Sequence, residues 1–84
     1  MTAPPLTGKT ALITGGGTGI GWGTALALAG EGCRVAIAGR RPEVLQQAAA
    51  SWVGQPPMLV HQCDVGDRPS VIRLFAWAAE KLGP

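Results

Sequence analysis

Residues 11–23 read ALITGGGTGIGWG, six glycines in thirteen positions behind a short run of Ala, Leu and Ile. Glycine inside a regular element costs roughly 0.5–1 kcal/mol relative to alanine, so such a density needs a local reason. An apolar run followed by glycines and then by an apolar, helix-spaced segment reads as strand, tight turn, helix. In that arrangement the unpaired amides and the positive end of the helix face whatever lies above the turn, and the ligand they suit is an anion such as a pyrophosphate. A tight glycine-rich turn without a ligand is the plain alternative.

The turn itself runs Thr14, Gly15, Gly16, Gly17, Thr18, Gly19, Ile20, Gly21. The strict GxGxxG spacing of the commonest dinucleotide fingerprint is absent, and no Gly-Lys-Ser/Thr follows to make a P-loop. The spacing is TGxxxGIG. One glycine allows a sharp exit from the strand, Gly19 is expected to let backbone amides approach a phosphate, and Gly21 to let the helix pack close to the sheet.

Beyond the turn, apolar periodicity places strands over Lys9–Thr14, Arg34–Ala38 and Met58–Cys63. Helices are expected over Thr18–Glu31, from Pro42 to about Val53, and over Arg68–Leu82. Inward positions are Ile20, Ala25, Leu26 and Leu28 in the first helix and Val44, Leu45 and Ala48 in the second. In the third they are Val71, Ile72, Leu74, Phe75 and Ala78. Pro42 suits a first helical position, and Asp67 can cap the last helix. The order β-α-β-α-β-α with short connections calls for a parallel sheet with right-handed crossovers, half of a doubly wound α/β fold of Rossmann type. Residues 1–8 read as a loose lead-in and 9–84 as one partial domain.

Eighty-four residues allow one small domain, and folding buries about 60–65% of the surface of so short a chain. A composition 46% hydrophobic and 14% charged fits a buried α/β core. The net charge of +2 is too small to imply a nucleic-acid partner. No stretch reaches the roughly 18–20 apolar residues of a membrane span, and the N-terminus lacks the basic and apolar regions of a secretion signal, so a cytoplasmic setting is expected. Cys33 and Cys63, with His61 as the lone histidine, are too few for a zinc site, and as residues near opposite ends of neighbouring strands they are expected to stay unbridged. His61 reads as structural, Trp22, Trp52 and Trp77 as packing residues, and Ser51 and Ser70 have no base partner in a triad arrangement.

With Thr14–Gly21 after the first strand and Asp64-Val65 after the third, the chain resembles the short-chain dehydrogenase/reductase family from about Leu6 to Pro84. Less specifically, GGGTGIGxG with QCDV is similar to the 2,4-dienoyl-CoA reductase members. The resemblance implies a dinucleotide cofactor held by Thr14, Gly15, Gly17, Thr18, Gly19, Ile20 and Gly21. At the end of the second strand an acidic residue would suit the ribose of NAD. This chain has Gly39 there, followed by Arg40 and Arg41, whose forked donors suit the 2′-phosphate of NADP. NADP is therefore expected over NAD, with Arg40 the first candidate and Arg41 the second, the alternative being two solvated surface side chains. Asp64 and Val65 lie where adenine would sit, a carboxylate accepting from its amino group and a backbone amide donating to the ring. Asp64 is expected to be free for this role because Asp67 is the better cap, the alternative being that Asp64 only orders its loop.

A complete family member is implied to continue past Gly83-Pro84 into a fourth strand, an Asn-Asn-Ala-Gly motif, a catalytic Ser and a Tyr-x-x-x-Lys pair, and to form a homo-oligomer. None of these motifs is in the chain, which contains no tyrosine. The chain is thus expected to be the N-terminal, cofactor-binding part of an oxidoreductase, inactive alone, with its first strand left as a sheet edge. A carbonyl/alcohol or enoyl acyl-CoA substrate would be met only in the complete protein. A short nonenzymatic dinucleotide-binding or regulatory module is the competing reading.

Overall fold

The computed structural model describes residues 5–15, 17 and 19–83. Three strands, β1 (Thr10–Thr14), β2 (Arg34–Gly39) and β3 (Leu59–Gln62), alternate with three helices, α1 (Gly19–Gly30), α2 (Pro42–Ser51) and α3 (Arg68–Leu82). The strands form a parallel sheet in the order β1-β2-β3, with Thr10 opposite Arg34 and Ala36 opposite Leu59. This is the Rossmann-type half fold that the alternation of elements calls for.

β2 is the middle strand, and Val35, Ala36, Ile37 and Ala38 are all buried, the continuous apolar run expected where helices cover both faces of a parallel sheet. Alternate residues feed two separate clusters. Val35 and Ile37 join Ala25 and Ala29 of α1 and Leu45 of α2, whereas Ala38 joins Leu74 of α3. Cys33 belongs to the first cluster and Cys63 to the second, and both are free thiols. Trp22 and Trp52 flank the first cluster and Trp77 the second. Trp52 also donates from Nε1 to the carbonyl of Pro56 at 2.9 Å, closing the turn after α2.

The helices depart from expectation in which faces they bury. In α1 the stripe against the sheet runs through Ala25 and Ala29, so Ile20 is 90% exposed and Leu26 is exposed at the side. Each residue turns a helix by about 100°, which carries both off a stripe centred on those alanines. In α3 the stripe is Leu74 and Ala78 with Val71 and Trp77 beside it, and the same rotation leaves Ile72 and Phe75 exposed. Helix α2 stops at Ser51 rather than Val53, which is also exposed.

The lead-in expected to be loose through Gly8 is tied down from Leu6 onward. Leu6 packs against the first cluster, its N–H donates to the carbonyl of Glu31 at 2.8 Å, and its carbonyl accepts from Lys9.

Candidate functional site

The site grows from the carboxyl ends of the three strands. Past the end of β1, the Gly15 N–H donates to the Ala38 carbonyl at 2.7 Å, carrying the ladder one rung beyond the strand. The chain then turns sharply: Gly15 has φ +67° and Gly19, the first residue of α1, has φ +58°. An L side chain in this left-handed region costs about 1–2 kcal/mol. A β-carbon on either residue would meet nothing within 4 Å, so backbone conformation, which the sequence reading had not required at Gly19, is by itself sufficient reason for glycine. Thr14 and Ile20 are exposed and Gly21 is half-buried in the first turn of α1. Thr18, a candidate phosphate contact, lies outside the described residues, and so does the expected helix start there.

Gly17 is held differently. A β-carbon there would lie 3.1 Å from Val44 Cγ1 and 3.3 Å from Leu45 Cδ2, so this glycine sits directly against the first turn of α2.

At the end of β2, the Gly39 carbonyl accepts from Cys63 N–H at 2.7 Å. Arg41 occupies the N-cap position of α2 with extended backbone and no side-chain cap, its carbonyl accepting from Val44 and Leu45, and Pro42 follows as the first helical residue. Arg40 and Arg41 are both exposed, and the ion pair among the described residues joins Arg73 to Asp67 at 4.0 Å, leaving both guanidiniums without a carboxylate. Cations beside a helix N-terminus are unfavourable by roughly 0.3–1 kcal/mol. A bound anion would offset that cost.

The loop after β3 is shaped by two aspartates. Asp67 does cap α3, its carboxylate accepting from Ser70 N–H at 3.1 Å. Asp64 orders its own loop as well: its Oδ1 accepts from Gly66 N–H at 2.9 Å, closing an Asx turn, and its own N–H donates to Ser70 Oγ at 3.0 Å, while its Oδ2 has no hydrogen-bond partner among the described residues. Its side chain lies in a separate polar depression shared with His61, Gln62, Ser70 and Arg73. Val65 alone of the pair reaches the main cleft.

That cleft, of about 340 Å³, joins the other parts. Gly15, Gly17, Gly39, Arg40, Arg41 and Val65 line it, and Val44, with the buried Leu45 and Cys63, adds an apolar wall. Its volume is at the lower end of the range for ligand sites, and its mix of apolar wall and convergent cations is typical of one. In the sequence Val44 and Leu45 read as core residues and Cys63 as a buried residue at a strand end. The signal for their second role was their position one helical turn past Arg40-Arg41 and directly before Asp64-Val65. No group of three or more potential metal ligands occurs among the described residues, and none of their helices is long and apolar enough to cross a membrane.

The family model described as short chain dehydrogenase matches residues 9–84. The chain belongs to the short-chain dehydrogenase family. Family relatives include an uncharacterized oxidoreductase of Caenorhabditis elegans, 42% identical over 91 residues, covering 99% of this chain and 28% of the relative. The NADP-dependent (R)-specific alcohol dehydrogenase of Lentilactobacillus kefiri is 38% identical over 79 residues, covering 94% of this chain and 31% of that protein. Among solved structures, the citronellol catabolism dehydrogenase of Pseudomonas aeruginosa superposes with a TM-score of 0.89 at 33% identity, over 99% of this chain and 35% of the other. The chain thus spans about a third or less of each of these relatives. As a member of this family it carries an oxidoreductase's dinucleotide-binding fold.

Proposed function

We propose that these residues bind the adenosine and pyrophosphate part of NADP(H) for a short-chain oxidoreductase. The observation that supports this reading most is the shared cleft, which is lined by left-handed Gly15 and by two arginines that have no carboxylate partner among the described residues. The amides at the start of α1, with Gly15 and Gly17 before them, would take the pyrophosphate. Arg40, seconded by Arg41, would take the 2′-phosphate, since guanidinium forks match phosphate oxygens and no carboxylate stands at Gly39 to repel them. Val65 would flank the adenine, with its backbone amide available to the ring, while Asp64 orders the loop that presents it. NADP dependence in the name of the Lentilactobacillus kefiri alcohol dehydrogenase points the same way.

When bound, the nicotinamide of the cofactor supplies or accepts hydride. No tyrosine occurs in the 84 residues, so the acid–base Tyr-x-x-x-Lys pair implied by the resemblance is not among them, and their part in the reaction is to hold the cofactor. A carbonyl/alcohol pair is the substrate class in keeping with the relatives' names. A cytoplasmic setting suits two buried cysteines kept as thiols, and a homo-oligomer follows from the resemblance.

The test is calorimetric titration of the chain with NADPH and NADH. NADPH should bind at least about tenfold more tightly, a difference of about 1.4 kcal/mol. Equal affinities would overturn the NADP assignment, and no binding of either would overturn the dinucleotide role.

A further inference from the structure

We propose that Gln62 is a positioning residue for Arg40, and through it a determinant of selectivity for the 2′-phosphate. This rests on the NADP reading of the cleft.

Three successive carbonyls, those of Gly39, Arg40 and Arg41, form the turn that carries the two arginines. The first accepts from the main-chain N–H of Cys63 at 2.7 Å, and the third from the N–H groups of Val44 and Leu45 at 3.1 and 3.2 Å. The middle one, belonging to Arg40 itself, accepts instead from a side chain: Gln62 Nε2 at 3.3 Å. Twenty-two positions separate the two residues, whereas every other side-chain hydrogen bond among the described residues spans six or fewer. Gln62 thus adds a rung, made by a side chain, to a β2–β3 ladder whose last registered pair is Gly39 with Gln62.

Gln62 is anchored in turn. His61 Nδ1 lies 2.7 Å from the Gln62 carbonyl, and because a carbonyl only accepts, that nitrogen carries the proton. The His61 ring packs on Trp77 of α3 with centroids 4.7 Å apart. A chain of contacts therefore runs from α3 through His61 and Gln62 to the backbone of Arg40. Arg40 lines the cleft, and its guanidinium has no carboxylate partner among the described residues. A long side chain with an unrestrained backbone loses more conformational entropy on gripping a phosphate than one whose backbone is already held. Gln62 supplies that restraint. It is exposed, so replacing it leaves the core untouched.

Gln62→Met keeps the length and removes the donor. The full chain, its Gln62→Met and Arg40→Ala variants and the double variant are titrated with adenosine 2′,5′-bisphosphate and with 5′-AMP, melting temperatures confirming that each is folded. Gln62→Met should weaken the bisphosphate about threefold to tenfold, the scale of one neutral hydrogen bond, and leave 5′-AMP unchanged. In the Arg40→Ala background the same change should cost nothing further, because the two residues act as one unit. An equal loss for both ligands, or a full loss persisting without Arg40, would overturn the positioning role. So would an unchanged Gln62→Met beside an Arg40→Ala that does lose the bisphosphate, in which case the NADP reading stands. If Arg40→Ala leaves the preference for the bisphosphate intact, the NADP reading itself falls, and this proposal with it.

Discussion

Gly17 rests on Leu45: a β-carbon placed on the glycine would come within 3.3 Å of Leu45 Cδ2 and within 3.1 Å of Val44 Cγ1. The contact sets the distance between the glycine turn and the arginine turn, because Arg41 caps the helix on which both side chains stand. Gly17→Ala should therefore cost about 1 kcal/mol of stability, overpacking offset in part by the lower entropy of the unfolded chain. Val44→Ala, by removing Cγ1, should lower the cost of the alanine at position 17, with the Leu45 contact remaining. Urea unfolding of the two single variants and the double variant measures this coupling, and strict additivity would show that the two turns do not touch.

Gly19 answers to conformation. With φ at +58°, Gly19→Ala should lower stability by about 1–2 kcal/mol. Gly19→Asn should lower it less, since asparagine visits the left-handed region more readily. An alanine variant as stable as the parent in urea unfolding would contradict the backbone geometry of the turn.

Gly39 has room for a side chain. A β-carbon there would meet Leu45 Cδ2 at 3.5 Å, an ordinary contact. Gly39→Asp would set a carboxylate beside Arg40, repelling a 2′-phosphate and accepting from ribose hydroxyls. The NADPH-to-NADH affinity ratio should fall by about tenfold or more, or about 1.4 kcal/mol. A ratio unmoved in calorimetry would mean that this strand end does not face the ribose.

Burial pushes the Cys33 thiol above its ordinary range. At neutral pH both folded and unfolded chains hold this proton, and it contributes no pH dependence. As pH rises past the ordinary thiol range the unfolded chain releases the proton first, so the unfolded state binds fewer protons and stability falls with pH. Unfolding free energies measured from about pH 8 to 10 should decline less steeply in Cys33→Ala than in the parent, and parallel slopes would contradict the assignment.

Element order was legible because apolar runs alternate with helix-spaced segments and because Pro42 and Asp67 mark helix starts. Burial within the helices was not. Both α1 and α3 carry apolar residues around much of their circumference, so periodicity alone did not single out Ala25–Ala29 or Leu74–Ala78 as the buried stripes. The glycines and arginines of the cleft could be read from their spacing. The bond from the Gly66 amide to Asp64 Oδ1 was not legible, because it depends on how the loop closes. The Gln62 contact with Arg40 was invisible for a similar reason, since a bond spanning 22 positions depends on strand register. Leu6 looked like part of a loose tail because its partner, the first core cluster, is assembled from distant segments.

If Arg40 receives the 2′-phosphate of NADP(H), calorimetric titration of Arg40→Ala with NADPH and with NADH will separate the two cofactors. NADPH binding should weaken by about 1.5–3 kcal/mol, the scale of a charged hydrogen bond, while NADH binding stays unchanged. Equal losses for the two cofactors, or no loss for either, would contradict that role for Arg40.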